Sequence, residues 1–134
     1  MPFVSDCSFA VGWLLKETDR HGVLLVHQVP NDQGVAPSLW PYEIRNVLLM
    51  AERHGRITPP DFDGLLNQLA VLPVDIDLEP DHGAAALFAR RHSLTIYDAV
   101  YLEIAIRRSL PMATLDRELV NAARLEGVPL VPER

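Results

Sequence analysis

The sequence predicts a three-layer α/β/α domain built on a mostly parallel sheet, and three observations lead there. Short apolar runs with strand character (PFVSD, VAPSLW, LPVDIDL, PMATLD and VPLV) are separated by segments with helical periodicity. Strands that alternate with helices pair in parallel and carry helices on both faces. The chain has 134 residues, 49% of them hydrophobic and 22% charged, which suits one core and one domain over residues 1–134.

PFVSD opens the chain as a short strand, and SFAVGWLLKE follows as a helix with Phe9, Trp13 and Lys16 on one stripe. Residues 19–31, which include GVLLVHQV, fit strand or helix by periodicity alone. Gly34 punctuates, and VAPSLW reads as a second strand that runs into a turn. From Pro41 to His54, Ile44, Val47, Leu48 and Ala51 form an apolar helical face that Gly55 ends. Thr58-Pro59-Pro60 starts another helix, with proline where a missing N–H costs little, and Leu65, Leu66, Leu69 and Ala70 supply its inner side. LPVDIDL alternates with period two and reads as a strand. GAAALFARRH is a helix, and TIYDAVYLEIAIRRS is the next, with Ala99, Leu102, Ala105 and Ile106 at helical spacing. Arg107 and Arg108 suit the negative end of its dipole. PMATLD reads as a strand, DRELVNAARLEG as a helix stopped by Gly127, and VPLV as a last strand.

Composition removes several function classes. Twelve Lys and Arg against 18 Asp and Glu leave a net charge of −6, which argues against a basic surface for polyanions. Divalent cations on clustered carboxylates would lift that objection. Lys16 is the only lysine. The single cysteine, Cys7, excludes an intramolecular disulfide and a thiolate zinc cluster. No apolar run approaches the roughly 18 residues of a membrane helix. The start lacks a basic region and meets Asp6 early, so no secretory signal is expected, and the chain reads as intracellular and cytoplasmic. Neither GxGxxG nor GxxxxGK[ST] is present, so those phosphate cradles are missing. HExxH and GxSxG are absent as well, and the five histidines form no i, i+4 pair.

Four acids remain conspicuous because they interrupt apolar, helix-forming context: Asp6 in VSDCS, Glu43 in WPYEIRN, Asp98 in TIYDAVY and Asp116 in ATLDREL. Asp6 and Asp116 stand at predicted strand ends, where sites form in parallel sheets. Each has a plainer explanation. Asp6 and Asp116 precede helices and suit N-caps, Thr95-x-x-Asp98 resembles a capping box, and Glu43 follows Pro41 in a first turn. Together, four acids at helix starts of one α/β sheet can point to a single edge. Mg²⁺ and Mn²⁺ take oxygen ligands and keep several waters, so a few carboxylates make a typical site. Asn46 lies three residues past Glu43 on the same helix face and can bond a ligand or a metal-bound water. Ser8 and Thr114 stand two residues from Asp6 and Asp116 and can orient them, although a turn hydroxyl and a strand threonine explain them equally well.

The order VSDCS, WPYEIRNVLL, LTIYDAVYLEIA and ATLDRELVNAA resembles the PIN-domain ribonucleases, in particular the VapC-type toxins of toxin–antitoxin modules. The resemblance spans essentially the whole chain; E-x-x-N and Y-D-A-x-Y-L-x-x-A are its more specific parts. It implies a PIN-like fold, with Asp6, Glu43, Asp98 and Asp116 ligating Mg²⁺ or Mn²⁺ for endoribonucleolytic cleavage of RNA. It also implies a homodimer and an antitoxin partner that occludes the site, and it favours helix over residues 19–31. Cys7 stands where many members carry Ala, Ser or Thr. Trp13, Trp40, Leu14 and Leu15 place large apolar side chains near helix starts, which agrees with a dimer surface and a groove for an antitoxin helix.

Other classes fit less well. A phospho-accepting receiver wants an acidic pair on the first strand and a late lysine; a D-x-D phosphatase wants an acid at residue 8, which is Ser. A non-catalytic interaction module, its acids only capping helices, is the remaining alternative. Arg45 should face away from Glu43, Arg90-Arg91 and Arg107-Arg108 read as solvated helix ends, and DIDLEPD (Asp75, Asp77, Glu79, Asp81) reads as a solvated edge.

Overall fold

The computed structural model describes residues 2–15, 34–72 and 74–131. The ambiguous stretch 19–31 lies outside them, as do Lys16, His21, His27 and the side chain of Trp13. The described elements are β1 (Phe3–Ser5), α1 (Cys7–Leu14), β2 (Gly34–Pro37), α2 (Trp40–Arg53), α3 (Pro59–Ala70), β3 (Val74–Asp77), α4 (His82–His92), α5 (Ile96–Arg107), β4 (Met112–Ala113) and α6 (Arg117–Leu125). The strands form one four-stranded sheet in the order β3-β2-β1-β4. Every pairing is parallel, with Val4 opposite both Val35 and Met112. With α1 packed on α2 and α3, and α5 packed on the sheet, α4 and α6, the domain is the α/β/α sandwich that the alternation predicts.

Local chemistry sets the element ends. Thr58 caps α3 through the Asp61 N–H while the Asp61 carboxylate returns to the Thr58 N–H, a complete capping box behind Pro59 and Pro60. Thr95 caps α5, and Asp81 caps α4. Gly55 and Gly127, both at φ +75°, end α2 and α6 where expected. β1 and β2 are buried throughout, as central parallel strands must be. Helix α5 is buried from Ala99 to Ala105 on every side, so its sequence lacks the one-sided pattern of a surface helix.

Four expectations change. VPLV contributes only an isolated bridge, Leu130 to Met112, instead of a strand. Leu14 and Trp40, read from sequence as partner-facing, are buried in the chain's own core. β3 is indeed an edge strand, but DIDLEPD is not simply solvated: Asp77 is buried and accepts from Arg107 at 2.9 Å and from Arg108 at 3.4 Å. Arg107 and Arg108 are therefore not free helix ends. Arg107 also bonds the buried Glu103 at 2.6 Å, and Arg108 reaches Asp75 at 3.3 Å. Burial pushes the Asp77 carboxyl up, but the Arg107 contact, the Glu79 N–H and the charges of Arg107 and Arg108 hold it below the usual range. Arg91, at the end of α4, pairs with Glu126 at 2.7 Å and is half exposed.

Candidate active site

Parallel strands end together, so Asp6, directly after β1, and Asp116, shortly after β4, share one edge of the sheet. Asp6 is 4% exposed and densely bonded. Its Oδ1 accepts the Phe9 N–H at 3.0 Å, capping α1. Ser8 Oγ lies 2.8 and 2.9 Å from its two oxygens, and Thr114 Oγ1 donates to Oδ2. Asp116 caps α6, its Oδ1 accepting from the N–H groups of Glu118 and Leu119 at 2.8 and 3.2 Å. The two predicted caps are real, and they lie side by side.

Glu43 and Asp98 enter from the first turns of α2 and α5. Neither side chain is the cap of its helix: α2 begins without a side-chain cap at Leu39, and Thr95 serves α5. The Glu43 Oε1 accepts the Tyr101 hydroxyl at 2.7 Å. Glu43, Asn46 and Val47 of α2 line a cleft of about 480 Å³ together with Cys7, Ser8 and Val11 of α1 and Leu115. Gly12 lets α1 approach this corner closely, because a Cβ there would meet Leu115 Cδ1 at 2.9 Å. Arg45 turns away and bonds the Pro41 carbonyl at 2.7 Å, as its spacing predicts.

Electrostatics tie the four acids into one group. Burial pushes Asp6 from its ordinary 3.8 to about 6 against three hydrogen bonds that lower it, with the Asp116 charge adding to the rise. Burial also raises Glu43, opposed by the Tyr101 bond and reinforced by the charge of Asp98. Asp98 is raised by burial and then by the charge of Asp116, opposed by a Thr95 hydrogen bond and reinforced by the charge of Glu118. Between the acids, Cys7 is pushed up to about 12 by burial and by Glu43 and Asp6, so it is a thiol and no nucleophile at neutral pH. Among the described residues no three His, Cys, Asp or Glu side chains already stand as a coordination shell. The donor set is nonetheless all carboxylate oxygen, the chemistry that hard divalent cations take.

Sequence reasoning assigned Thr114 to Asp116, but its side chain serves Asp6, while its Oγ1 accepts the Asp116 N–H at 2.9 Å. Thr114 thus joins the ends of β1 and β4. Glu118, not singled out in the sequence, adds a fifth negative charge, and its place two residues past Asp116 was the available signal. Tyr101 closes the Y-D-A-x-Y part of the family motif, and its position three residues past Asp98, on the same helix face, is the signal the sequence offers for it.

Two measurements follow from this geometry. Thr114→Val keeps the shape but leaves the Asp116 N–H unpaired and removes a donor from Asp6. It should cost about 1–3 kcal/mol in urea denaturation and move the Asp6 titration upward in carboxyl NMR. An unchanged midpoint in both would remove Thr114 from this role. The second concerns pH. A carboxyl raised in the fold keeps a proton that the unfolded chain has released, so its stabilisation is complete below the unfolded value and fades as pH rises through the folded one. For Asp6 that window runs from 3.8 to about 6, and the raised Glu43 and Asp98 act in the same direction. Asp61, Asp77 and Glu126 are lowered, and their contribution disappears in acid instead. Metal-free protein should therefore melt highest at about pH 4–5 and lose stability towards pH 7. A melting temperature that climbs steadily from pH 4.5 to 7.5 in EDTA would contradict the raised Asp6.

A parallel sheet with acids gathered at helix starts along its carboxyl edge defines an α/β/α domain with an acidic site. The PIN-domain family signature matches residues 4–125, and the chain belongs to that family. It is similar to Ribonuclease VapC3 of Mycobacterium tuberculosis, 29% identical over 123 residues that cover 89% of this chain and 85% of that protein. Among solved structures, PAE2754 from Pyrobaculum aerophilum aligns with TM-score 0.67 and 26% identity over 91% of this chain and 79% of its own. The fold is shared with a toxin-antitoxin complex from Klebsiella pneumoniae, at TM-score 0.65 and 15% identity, over 98% of this chain and 99% of that one. The family resemblance drawn from VSDCS, WPYEIRNVLL, LTIYDAVYLEIA and ATLDRELVNAA is thereby borne out. No helix among the described residues is long and apolar enough to cross a membrane.

Proposed function

We propose that this chain is a divalent-metal-dependent endoribonuclease, the toxin of a toxin–antitoxin pair, with Asp6, Glu43, Asp98 and Asp116 as its metal-holding carboxylates. The observation that carries this reading is the placement of Asp6, buried at the end of β1 and joined through Thr114 to the end of β4, which Asp116 follows. A carboxylate that only caps a helix is stabilised by its N–H partners and falls below its usual range. Asp6 instead rises to about 6, buried beside another acid at the end of a central strand. Burial is the main cause of that rise and the Asp116 charge a smaller one, and a cation bound there would offset both. Similarity to Ribonuclease VapC3 supports RNA as the substrate.

A bound Mg²⁺ or Mn²⁺ would acidify a water and shield the charge that develops on the scissile phosphate. The chain's own groups supply the rest. Ser8 and Thr114 hold Asp6 in one orientation, and the α6 N-terminal N–H groups hold Asp116. Asn46 stands at the cleft beside Glu43, where its amide can bond a metal-bound water or the RNA. With a net charge of −6, the ion is also what lets an RNA phosphate approach this edge. We further propose an antitoxin partner, in line with the toxin-antitoxin complex that shares the fold, and a homodimer, which rests on the family resemblance alone. A strict monomer in light scattering at high micromolar concentration would count against the dimer.

The test is cleavage of RNA by purified protein in EDTA, Mg²⁺ and Mn²⁺. Internal cuts should appear with either ion and vanish in EDTA. Cleavage indifferent to EDTA would overturn the metal site. No cleavage, together with no shift of the melting temperature by either ion, would favour an interaction module whose acids serve only as caps.

A further inference from the structure

We propose that Tyr101 is a positioning residue for the acidic edge, its phenol holding the Glu43 carboxylate through Oε1 in the orientation from which it would bind a divalent cation. The proposal rests on the reading of Glu43 as a metal ligand. Tyr101 is 1% exposed, and a hydroxyl buried that deeply must find a partner. It does not use the backbone of its own helix. It reaches Glu43 on α2, 58 positions earlier in the chain, at 2.7 Å, the length of a charge-assisted O–H···O⁻ bond.

The two side chains differ in freedom. The Tyr101 ring has two torsions and is gripped by the core, so its hydroxyl is a fixed donor. Glu43 is only partly buried, with three torsions of its own, and without that donor it would sample several rotamers. The bond also spans two of the acid-bearing helices. Asp98 lies one helical turn before Tyr101 on α5, and Glu43 lies on α2, so the phenol sets where one acid stands relative to the other. Partners that orient a ligand in this way are worth about 10–100-fold in metal affinity when removed. A phenol that merely satisfied its own burial would have no such effect.

The experiment is Mn²⁺ binding to metal-free protein, followed by electron paramagnetic resonance, in wild type, Tyr101→Phe, Glu43→Gln and the double variant. Tyr101→Phe removes one atom and should raise the Mn²⁺ Kd about 10–100-fold. In the Glu43→Gln background the same change should have no further effect, because the phenol acts through that carboxylate. A measurement on unmodified sequence accompanies the variants. With ¹³Cζ-labelled tyrosine, Mg²⁺ should shift the Tyr101 resonance and leave the exposed Tyr42 and Tyr97 in place. An unchanged Kd in Tyr101→Phe, or a Tyr101 resonance indifferent to Mg²⁺, overturns the proposal. A wild type that binds no Mn²⁺ instead overturns the metal site itself, and the same titration shows that first.

Discussion

Asp98→Asn should yield a folded protein that cleaves RNA at least about a hundredfold more slowly, a loss of about 2.7 kcal/mol in transition-state stabilisation. The variant is nearly isosteric, and the α5 cap survives because Thr95 Oγ1 accepts the backbone N–H of residue 98, which the substitution keeps. What disappears is a negative charge that burial and the neighbours Asp116 and Glu118 already strain. A neutral amide binds a hard cation weakly and does not offset its charge. Relief of the same repulsion should make the metal-free variant more stable than wild type, most visibly near neutral pH, while Mn²⁺ stabilises it less. Wild type should gain about 2.7 kcal/mol at a hundred times the Kd. Stability and activity thus move in opposite directions. Cleavage within tenfold of wild type would reject Asp98 as a metal-holding group, and a less stable metal-free variant would point to an ordinary helix-start acid. Asp6→Asn should lose cleavage equally, since there too a neutral amide replaces the charge that would hold the cation.

Arg107→Met should cost about 3 kcal/mol of folding stability. Its guanidinium bonds two buried carboxylates at once, Glu103 at 2.6 Å and Asp77 at 2.9 Å, and Glu103 also accepts the Asp81 N–H at 3.3 Å. Removing the cation leaves Glu103, 2% exposed, without that partner, and Asp77, 6% exposed, with only the longer 3.4 Å contact of Arg108. Breaking a buried pair in this way costs about 3–5 kcal/mol; the lower figure applies because a third of the Arg107 side chain meets solvent, which screens it. The penalty should shrink as pH falls, because Asp77 loses the contact that chiefly holds its carboxyl below the usual range and takes up a proton more readily. Arg107→Lys should recover only part of it, since an ammonium lacks the fork that serves two carboxylates. Urea titrations of the three proteins at pH 7 and pH 4 decide the matter. Equal midpoints for wild type and Arg107→Met at pH 7 would show the network to be idle.

The α/β/α class, most helix boundaries and the four candidate acids are legible in the chain alone. These are local signals: a 3.6-residue or two-residue period, a Thr58 capping box behind prolines, a glycine past a last turn, an acid inside an apolar helix start. Each depends on residues a few positions apart, so a reader of the chain can weigh it without the fold. Only the tertiary structure decided what those acids touch. The Tyr101–Glu43 bond joins residues 58 apart, Thr114 reaches Asp6 across 108, and Arg107 reaches Asp77 across 30. No periodicity encodes such contacts, because they arise when β1 and β4 pair and α2 and α5 converge on the same sheet edge. Burial was equally out of reach. Leu14 and Trp40 carry the same apolar surface whether they meet a partner or their own core, and packing alone chose the core.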